Sequence, residues 1–221
     1  MSPPNPDPPA PHPAPPELMT LPALQAYVAR VVEARGFTRD LNEVFILLVE
    51  EVGELATEFK HRRYYPEQFQ VGALALELAD VLMYLLDLAN GFGVDLAALW
   101  PGHEAANDAR FASRRQGRAA THRVRPELAL NELVLHVEAK RRERAFEDTP
   151  ESLMILLTEE VGEVATELRR RWKGQEDPQR AGHELVDALT YLFRLAFVFQ
   201  INLEQALLDK ERENAKRIWH Y

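Results

Sequence analysis

ALALELADVLMYLLDLA, residues 73–89, decides the fold of this chain. It is apolar almost all the way round, interrupted only by Glu77, Asp80 and Asp87. A helix of that composition is buried over most of its circumference. Carboxylates on such a surface are costly to desolvate unless they are paired, hydrogen-bonded or bound to a cation. A second stretch, ELVDALTYLFRLAFVF at residues 184–199, repeats the pattern with Glu184 and Asp187 at the positions of Glu77 and Asp80.

Working outward, each stretch is preceded by the pentapeptide EEVGE, at Glu50–Glu54 and again at Glu159–Glu163. In the pairs Glu51/Glu54, Glu77/Asp80, Glu160/Glu163 and Glu184/Asp187 the spacing is three. On an α-helix that spacing puts both carboxylates on one face, about a turn apart. Two helices offering such pairs to each other form a cage of hard oxygen ligands, which suits Mg²⁺, with Mn²⁺ as the alternative, better than zinc or copper. The chain carries the pattern for that cage twice. Asp87 aligns with Arg194 and reads as a peripheral charge; Glu58 and Glu167 align with each other, a turn beyond the cage, and read as solvated.

The duplication extends beyond the acids. Phe37, Glu51, Glu54 and Thr57 match residues 109 further on, and Glu77, Asp80, Tyr84, Asn107 and Arg110 match residues 107 further on. Each copy reads as four helices, near 22–35, 41–62, 67–92 and 95–112, then near 127–146, 150–172, 178–200 and 203–218. Asp40 with Glu43 suggests a capping box, Thr149-Pro150 and Asp177-Pro178 mark helix starts, and the Gly93 region marks a helix end. The expected organisation is a proline-rich tail over 1–20, helical units over 21–111 and 127–221, and an arginine-rich linker over 112–126. The fold class is all-α: two tandem four-helix units packed within one chain as a pseudo-dimeric helix bundle. Further homo-oligomerisation stays open.

Composition narrows the function. The 221 residues carry a formal net charge of −9, which argues against a nucleic-acid polymer as partner. No cysteine is present, so thiol catalysis and zinc-thiolate sites are excluded, in keeping with a cytoplasmic protein. No stretch is long and apolar enough to span a membrane. The first sixteen residues hold nine prolines and lack the apolar core of a signal peptide; they read as an extended tail.

Both halves resemble the MazG-like all-α nucleoside triphosphate pyrophosphohydrolases, a superfamily that also includes dimeric dUTPases, dCTP pyrophosphatases and phosphoribosyl-ATP pyrophosphohydrolase. The resemblance rests on EExxE followed by ExxD, present as Glu50–Glu54 with Glu77–Asp80 and as Glu159–Glu163 with Glu184–Asp187. The second half is most similar to the dCTP-pyrophosphatase branch, through Tyr191 and the run Lys210, Asn214, Arg217. The resemblance implies Mg²⁺-dependent conversion of (d)NTPs, non-canonical ones included, to NMP and pyrophosphate. It implies metal ligands Glu51, Glu54, Glu77 and Asp80, and Glu160, Glu163, Glu184 and Asp187. Glu50 and Glu159 become the acids that order or activate the attacking water. Lys210, Asn214, Arg217 and Tyr191, with Asn107, Arg110 and Tyr84 in the first copy, become substrate-binding residues. On spacing alone, Lys210 and Arg217 read equally as basic residues suiting a helix C-terminus.

Two further expectations follow. Phe37, Phe146 and Trp172 are additional stacking candidates, although aromatics at helical spacing are more often core. The second site is expected to carry most turnover, because Lys210 aligns with the shorter His103 and because Pro101-Gly102 should break the last helix of the first copy. A competing reading from another class is an inactive helical module for self-association.

Overall fold

The computed structural model describes residues 13–115 and 122–216. The first part of the proline-rich tail and Arg217 lie outside that range. Among the described residues there are eight α-helices and no strand. They are α1 Leu21–Arg35, α2 Leu41–Tyr64, α3 Val71–Phe92, α4 Leu96–Arg110, α5 Leu130–Glu143, α6 Pro150–Trp172, α7 Pro178–Val198 and α8 Leu203–Asn214. A short 3₁₀ turn, Ala112–Arg115, follows α4.

Local chemistry sets the helix ends. Gly93, at φ 70°, closes α3 in the left-handed region that glycine adopts without strain. Thr149 accepts from the Ser152 amide at 3.1 Å ahead of Pro150, and Asp177 accepts from the Gln179 amide at 3.1 Å ahead of Pro178. The capping box expected at α2 does not form. Asp40 accepts from the Asn42 amide at 2.7 Å, but the Glu43 carboxylate takes the Thr38 hydroxyl instead of reaching back. The expected break at Pro101-Gly102 is also absent: α4 runs continuously through both residues. Asp95 caps its start at 3.0 Å from the Ala98 amide, and buried Leu96, Ala97 and Trp100 hold the turn into which the proline is built.

The packing has a pseudo-twofold plan. The two most apolar helices, α3 and α7, cross at the centre, with α2 against α3 and α6 against α7. Then the chain exchanges helices. α4 packs on α7 of the other copy, and α8 packs on α3. Trp100 of α4 stacks on Phe193 of α7, with ring centroids 5.9 Å apart and planes 6° from parallel. Gly182 allows the close approach: a Cβ there would lie 2.7 Å from Leu99 and 2.8 Å from Val94.

Equivalent residues meet at the axis, where Thr20 and Ala129, 109 apart, pair through an isolated antiparallel bridge. Away from it, related contacts recur. Tyr27 of α1 donates to Glu211 of α8 at 2.7 Å, and the matching His136 of α5 lies 2.5 Å from Glu104 of α4. Arg35 pairs with Glu211 at 2.7 Å, and Arg144 with Asp108 at 2.9 Å. The linker is tied down at its end: Val124 is buried, its amide donates to Glu104 at 2.9 Å, and the His122 carbonyl accepts from Lys140 at 2.9 Å.

Candidate metal and nucleotide site

Each acid stretch delivers a cluster. Glu51 from α2 meets Glu77 and Asp80 from α3, and Glu160 from α6 meets Glu184 and Asp187 from α7, with ligand oxygens in each group within 4.8 Å of one another. Glu54 and Glu163 do not join these groups; both are exposed. With Glu51 and Glu160 pointing inward, Glu54 and Glu163 stay at the exposed rim, whereas Glu77/Asp80 and Glu184/Asp187, at the same spacing, each send both carboxylates into the cluster. Glu54 and Glu163 still act through charge, since each adds to the repulsion felt by its cluster.

The clusters are crowded with negative charge. Burial, reinforced by Asp80, pushes the Glu51 carboxyl up to about 8. Burial pushes Glu77 to about 7 although Lys210 pulls the other way. Burial, with Asp187 and Glu184 beside it, raises Glu160 to about 8, and burial, with Asp187 and then Glu163, raises Glu184. Glu77 Oε2 is buried without a hydrogen-bond partner among the described residues. Converging carboxylates with an unsatisfied buried oxygen fit a hard divalent cation such as Mg²⁺ or Mn²⁺.

The helix exchange then reassigns the sequence-predicted partners. Lys210 Nζ pairs with Asp80 of the first cluster, not with the acids of its own copy. Burial works against the lysine's charge, but the hydrogen bond to Asp80 and the charges of Glu77 and Glu51 outweigh it and hold its pKa up. In return, His103 of the first copy places Nε2 at 2.8 Å from Asp187 of the second cluster, with Asn107 at 3.0 Å from the same nitrogen. The expectation that Lys210 equips the second cage is therefore overturned, because α8 lies on α3. Asn214, a turn beyond Lys210, donates to Glu211 at 3.4 Å and leaves a buried Oδ1 without a partner among the described residues.

A cavity of about 390 Å³ opens beside the second cluster. Glu159, Glu160, Asp187 and Tyr191 form one side of its lining, and His103, Asn107, Arg110 and Phe111 reach it from the first copy. Asn107 and Arg110, expected at the first site, thus belong to the second. Burial, with Glu160 next, pushes the Tyr191 hydroxyl up to about 12. Phe146 lines the same cavity, edge-on to Phe111 with centroids 5.0 Å apart. The remaining aromatic candidates lie elsewhere. Phe37 packs on the core, and Tyr84, a turn along α3 from Asp80, is partly buried against it. Trp172 is 69% exposed and donates to Asn42 at 2.8 Å. Glu50 is exposed on α2.

Sequence reasoning missed the basic wall of this cavity. Lys140, Arg141, Arg144 and Arg194 line it, each in an ion pair with an acid. Arg194 is buried, bonded to Asp148 at 2.7 Å, so its alignment with Asp87 marks a change of role between copies. Burial likewise pushes the Asp87 carboxyl up to about 6, against Arg39. Glu167, expected to be solvated, is buried between Arg170 and Arg180, and Glu58 pairs with His61 at 3.2 Å.

Acid clusters on paired helices, next to a cavity with basic and aromatic walls, are the parts that triphosphate chemistry needs. Residues 148–218 match the MazG nucleotide pyrophosphohydrolase domain. The matched MazG segment runs from α6 to α8, so it contains the whole second cluster and also the helix that completes the first. No curated protein and no solved structure shows significant similarity to the chain. The MazG match supports nucleotide pyrophosphohydrolase chemistry in general and agrees with the all-α architecture. No helix among the described residues is long and apolar enough to cross a membrane.

Proposed function

We propose that the chain is a divalent-metal-dependent nucleoside triphosphate pyrophosphohydrolase that converts (d)NTPs, modified ones included, to NMP and pyrophosphate. The observation that carries this reading is the junction of the Glu160/Glu184/Asp187 cluster with a cavity walled by Arg110, Phe111 and Tyr191. Its volume lies within the range of small-molecule pockets. In this reading each site is composite. Glu51, Glu77 and Asp80 work with Lys210 and Asn214, whereas Glu160, Glu184 and Asp187 work with His103, Asn107 and Arg110.

A divalent ion held by either cluster supplies charge neutralisation on the phosphates and acidification of a water molecule. The chain's own residues do the rest. Exposed Glu159, on the cavity wall beside Glu160, is placed to take a proton from the attacking water; Glu50 is its counterpart. Arg110 faces the cavity, where a guanidinium can hold phosphate oxygens in a fixed orientation. Tyr191 and Phe111 offer ring surface to a base. The units cannot work separately in this reading, since each depends on a helix of the other. The intact acids in both copies, with raised pKa values that a cation would relieve, favour this over an inactive module.

The test is pyrophosphate release from a panel of canonical and modified NTPs with Mg²⁺ or Mn²⁺. The double variant Glu51→Gln/Glu160→Gln is expected to lose at least a hundredfold, whereas the rim variant Glu54→Gln/Glu163→Gln loses about tenfold or less. Full activity of the first double variant would refute the assignment.

A further inference from the structure

Along α7 the second site continues past its acids. Asp187, Tyr191 and Arg194 lie at i, i+4 and i+7, so they share a helix face, and all three line the cavity. Seven residues advance about 10.5 Å along the axis, the span of a nucleoside. A nucleotide whose phosphates meet the cluster would place its base beyond Tyr191, beside Arg194. Asp148, just ahead of α6, lines the same cavity and accepts from Arg194 Nη1 at 2.7 Å. Among the described residues Arg194 Nε is buried without a hydrogen-bond partner, with Glu138 Oε2 3.6 Å away. The aligned residues of the first copy, Asp87 for Arg194 and Arg39 for Asp148, are the same pair with its signs exchanged, and the charge of Arg39 acts on Asp87 there. Either polarity satisfies the bundle, which leaves the polarity free to serve a ligand.

We propose that Arg194 and Asp148 read the base at the second site and select nucleotides with a carbonyl group, not an amino group, at C4 of a pyrimidine or C6 of a purine. An arginine only donates, and a carboxylate only accepts. The C4 substituent lies opposite the sugar, so it meets Arg194, the more enclosed of the two, with 6% of its side chain exposed against 14% for Asp148. A 4-oxo base offers its oxygen to the guanidinium and its N3–H to the carboxylate. A 4-amino base turns N–H toward a donor and a lone pair toward an acceptor, and both stay unsatisfied in a buried place. Purines divide the same way at C6 and N1. The first copy, with Asp87 in the place of the arginine, does not share the preference. This rests on the nucleotide reading given above and adds the class of base taken by its second site.

The experiment uses the full chain carrying Glu51→Gln and Glu77→Gln, so that only the second site works. The substrates are dUTP against dCTP, and dITP against dATP, which differ at the reading edge alone. Pyrophosphate release is expected to favour the oxo member of each pair by about ten- to a hundredfold in kcat/KM. Installing the polarity of the first copy, Arg194→Asp with Asp148→Arg, should invert the ratio. Arg194→Gln, whose amide can donate or accept, should bring it within about threefold of unity. A purely structural role would lower turnover of all these substrates alike. Equal turnover of dUTP and dCTP by the parent chain, or a ratio unmoved by Arg194→Gln, overturns the proposal and leaves the hydrolase reading standing. Should the variants misfold, 3-methyl-dUTP, which lacks the N3–H, decides on the parent chain. A loss of about tenfold or more supports the proposal, and turnover equal to that of dUTP overturns it. Calorimetry with the non-hydrolysable α,β-imido analogues of dUTP and dCTP and Mg²⁺ separates the two readings. Selective binding of the oxo analogue by a chain that releases no pyrophosphate refutes the hydrolase reading and supports this one.

Discussion

Replacing Lys210 with methionine tests the helix exchange directly, because the lysine and the acid it serves lie in different copies. The ammonium is in contact with Asp80, and both side chains are only 11% exposed. Unit charges 4 Å apart at an effective dielectric of 20 attract by about 4 kcal/mol, and removing one partner of a buried pair costs about 3–5 kcal/mol. With Lys210 gone, Asp80, Glu51 and Glu77 face one another without that cation. For a chain of this size each kcal/mol moves the melting temperature by roughly 2–4 °C, so Lys210→Met should lower Tm by about 6–20 °C in EDTA at pH 8. Mg²⁺ should recover much of the loss, since it restores positive charge among the same oxygens. A double-mutant cycle gives the partner. Lys210→Met with Asp80→Asn should show a coupling of about 2–3 kcal/mol in denaturant melts, and Lys210→Met with Asp187→Asn should be additive. Coupling to Asp187 and not Asp80 would refute the exchange and return the lysine to the second cage.

Two other outcomes can be checked by melting curves. Glu51, Glu77 and Glu160 have folded-state pKa values of about 8, 7 and 8, above their ordinary carboxylate value, so between about pH 4.5 and 8 the folded state binds more protons than the unfolded one. Stability in EDTA should therefore fall as pH rises through that window, and saturating Mg²⁺ should flatten the fall; a metal-free Tm that climbs from pH 5 to pH 8 would contradict it. Gly182→Val, which forces a side chain onto Leu99 and Val94, should lower stability by about 1–3 kcal/mol by denaturant unfolding, with Gly72→Val, which meets nothing within 4 Å, as the mild control.

The helices were legible because their punctuation is local. Caps at Thr149 and Asp177 and the left-handed Gly93 each act within a few residues, and the apolar circumference of 73–89 requires a central position whatever surrounds it. Errors at helix ends came from contacts the sequence does not advertise. α5 begins at Leu130, not 127, because Thr20 pairs with Ala129 and the Leu130 amide donates to Met19 at 2.9 Å. It ends at Glu143 because Ala145 turns left-handed, at φ 52°. Spacing of three identified the acids but could not say which member of EExxE faces inward. The exchange of α4 and α8 was the least legible feature. Periodicity reveals that a helix has a buried face, and the short loop after Gly93 leads as readily to one neighbour as to the other. The available signal was the alignment itself: His103 stands where the second copy has Lys210, and Leu76 where it has His183, next to acid pairs that match.

That break has a physical origin in the tandem arrangement. When two identical subunits exchange helices across a twofold axis, one residue serves both sites, so a change that suits one site alters the other equally. Here the helix reaching the first cluster is α8 and the helix reaching the second is α4, and they are encoded separately. A lysine can then be kept against Asp80 while a histidine is set against Asp187. The walls diverge as well, with buried Arg194 beside the second cluster where the first copy has Asp87. Symmetry still governs the core, where α3 crosses α7 and Thr20 meets Ala129, because those contacts are shared by both halves. The cages lie off the axis, and each can be changed without a matching change in the other.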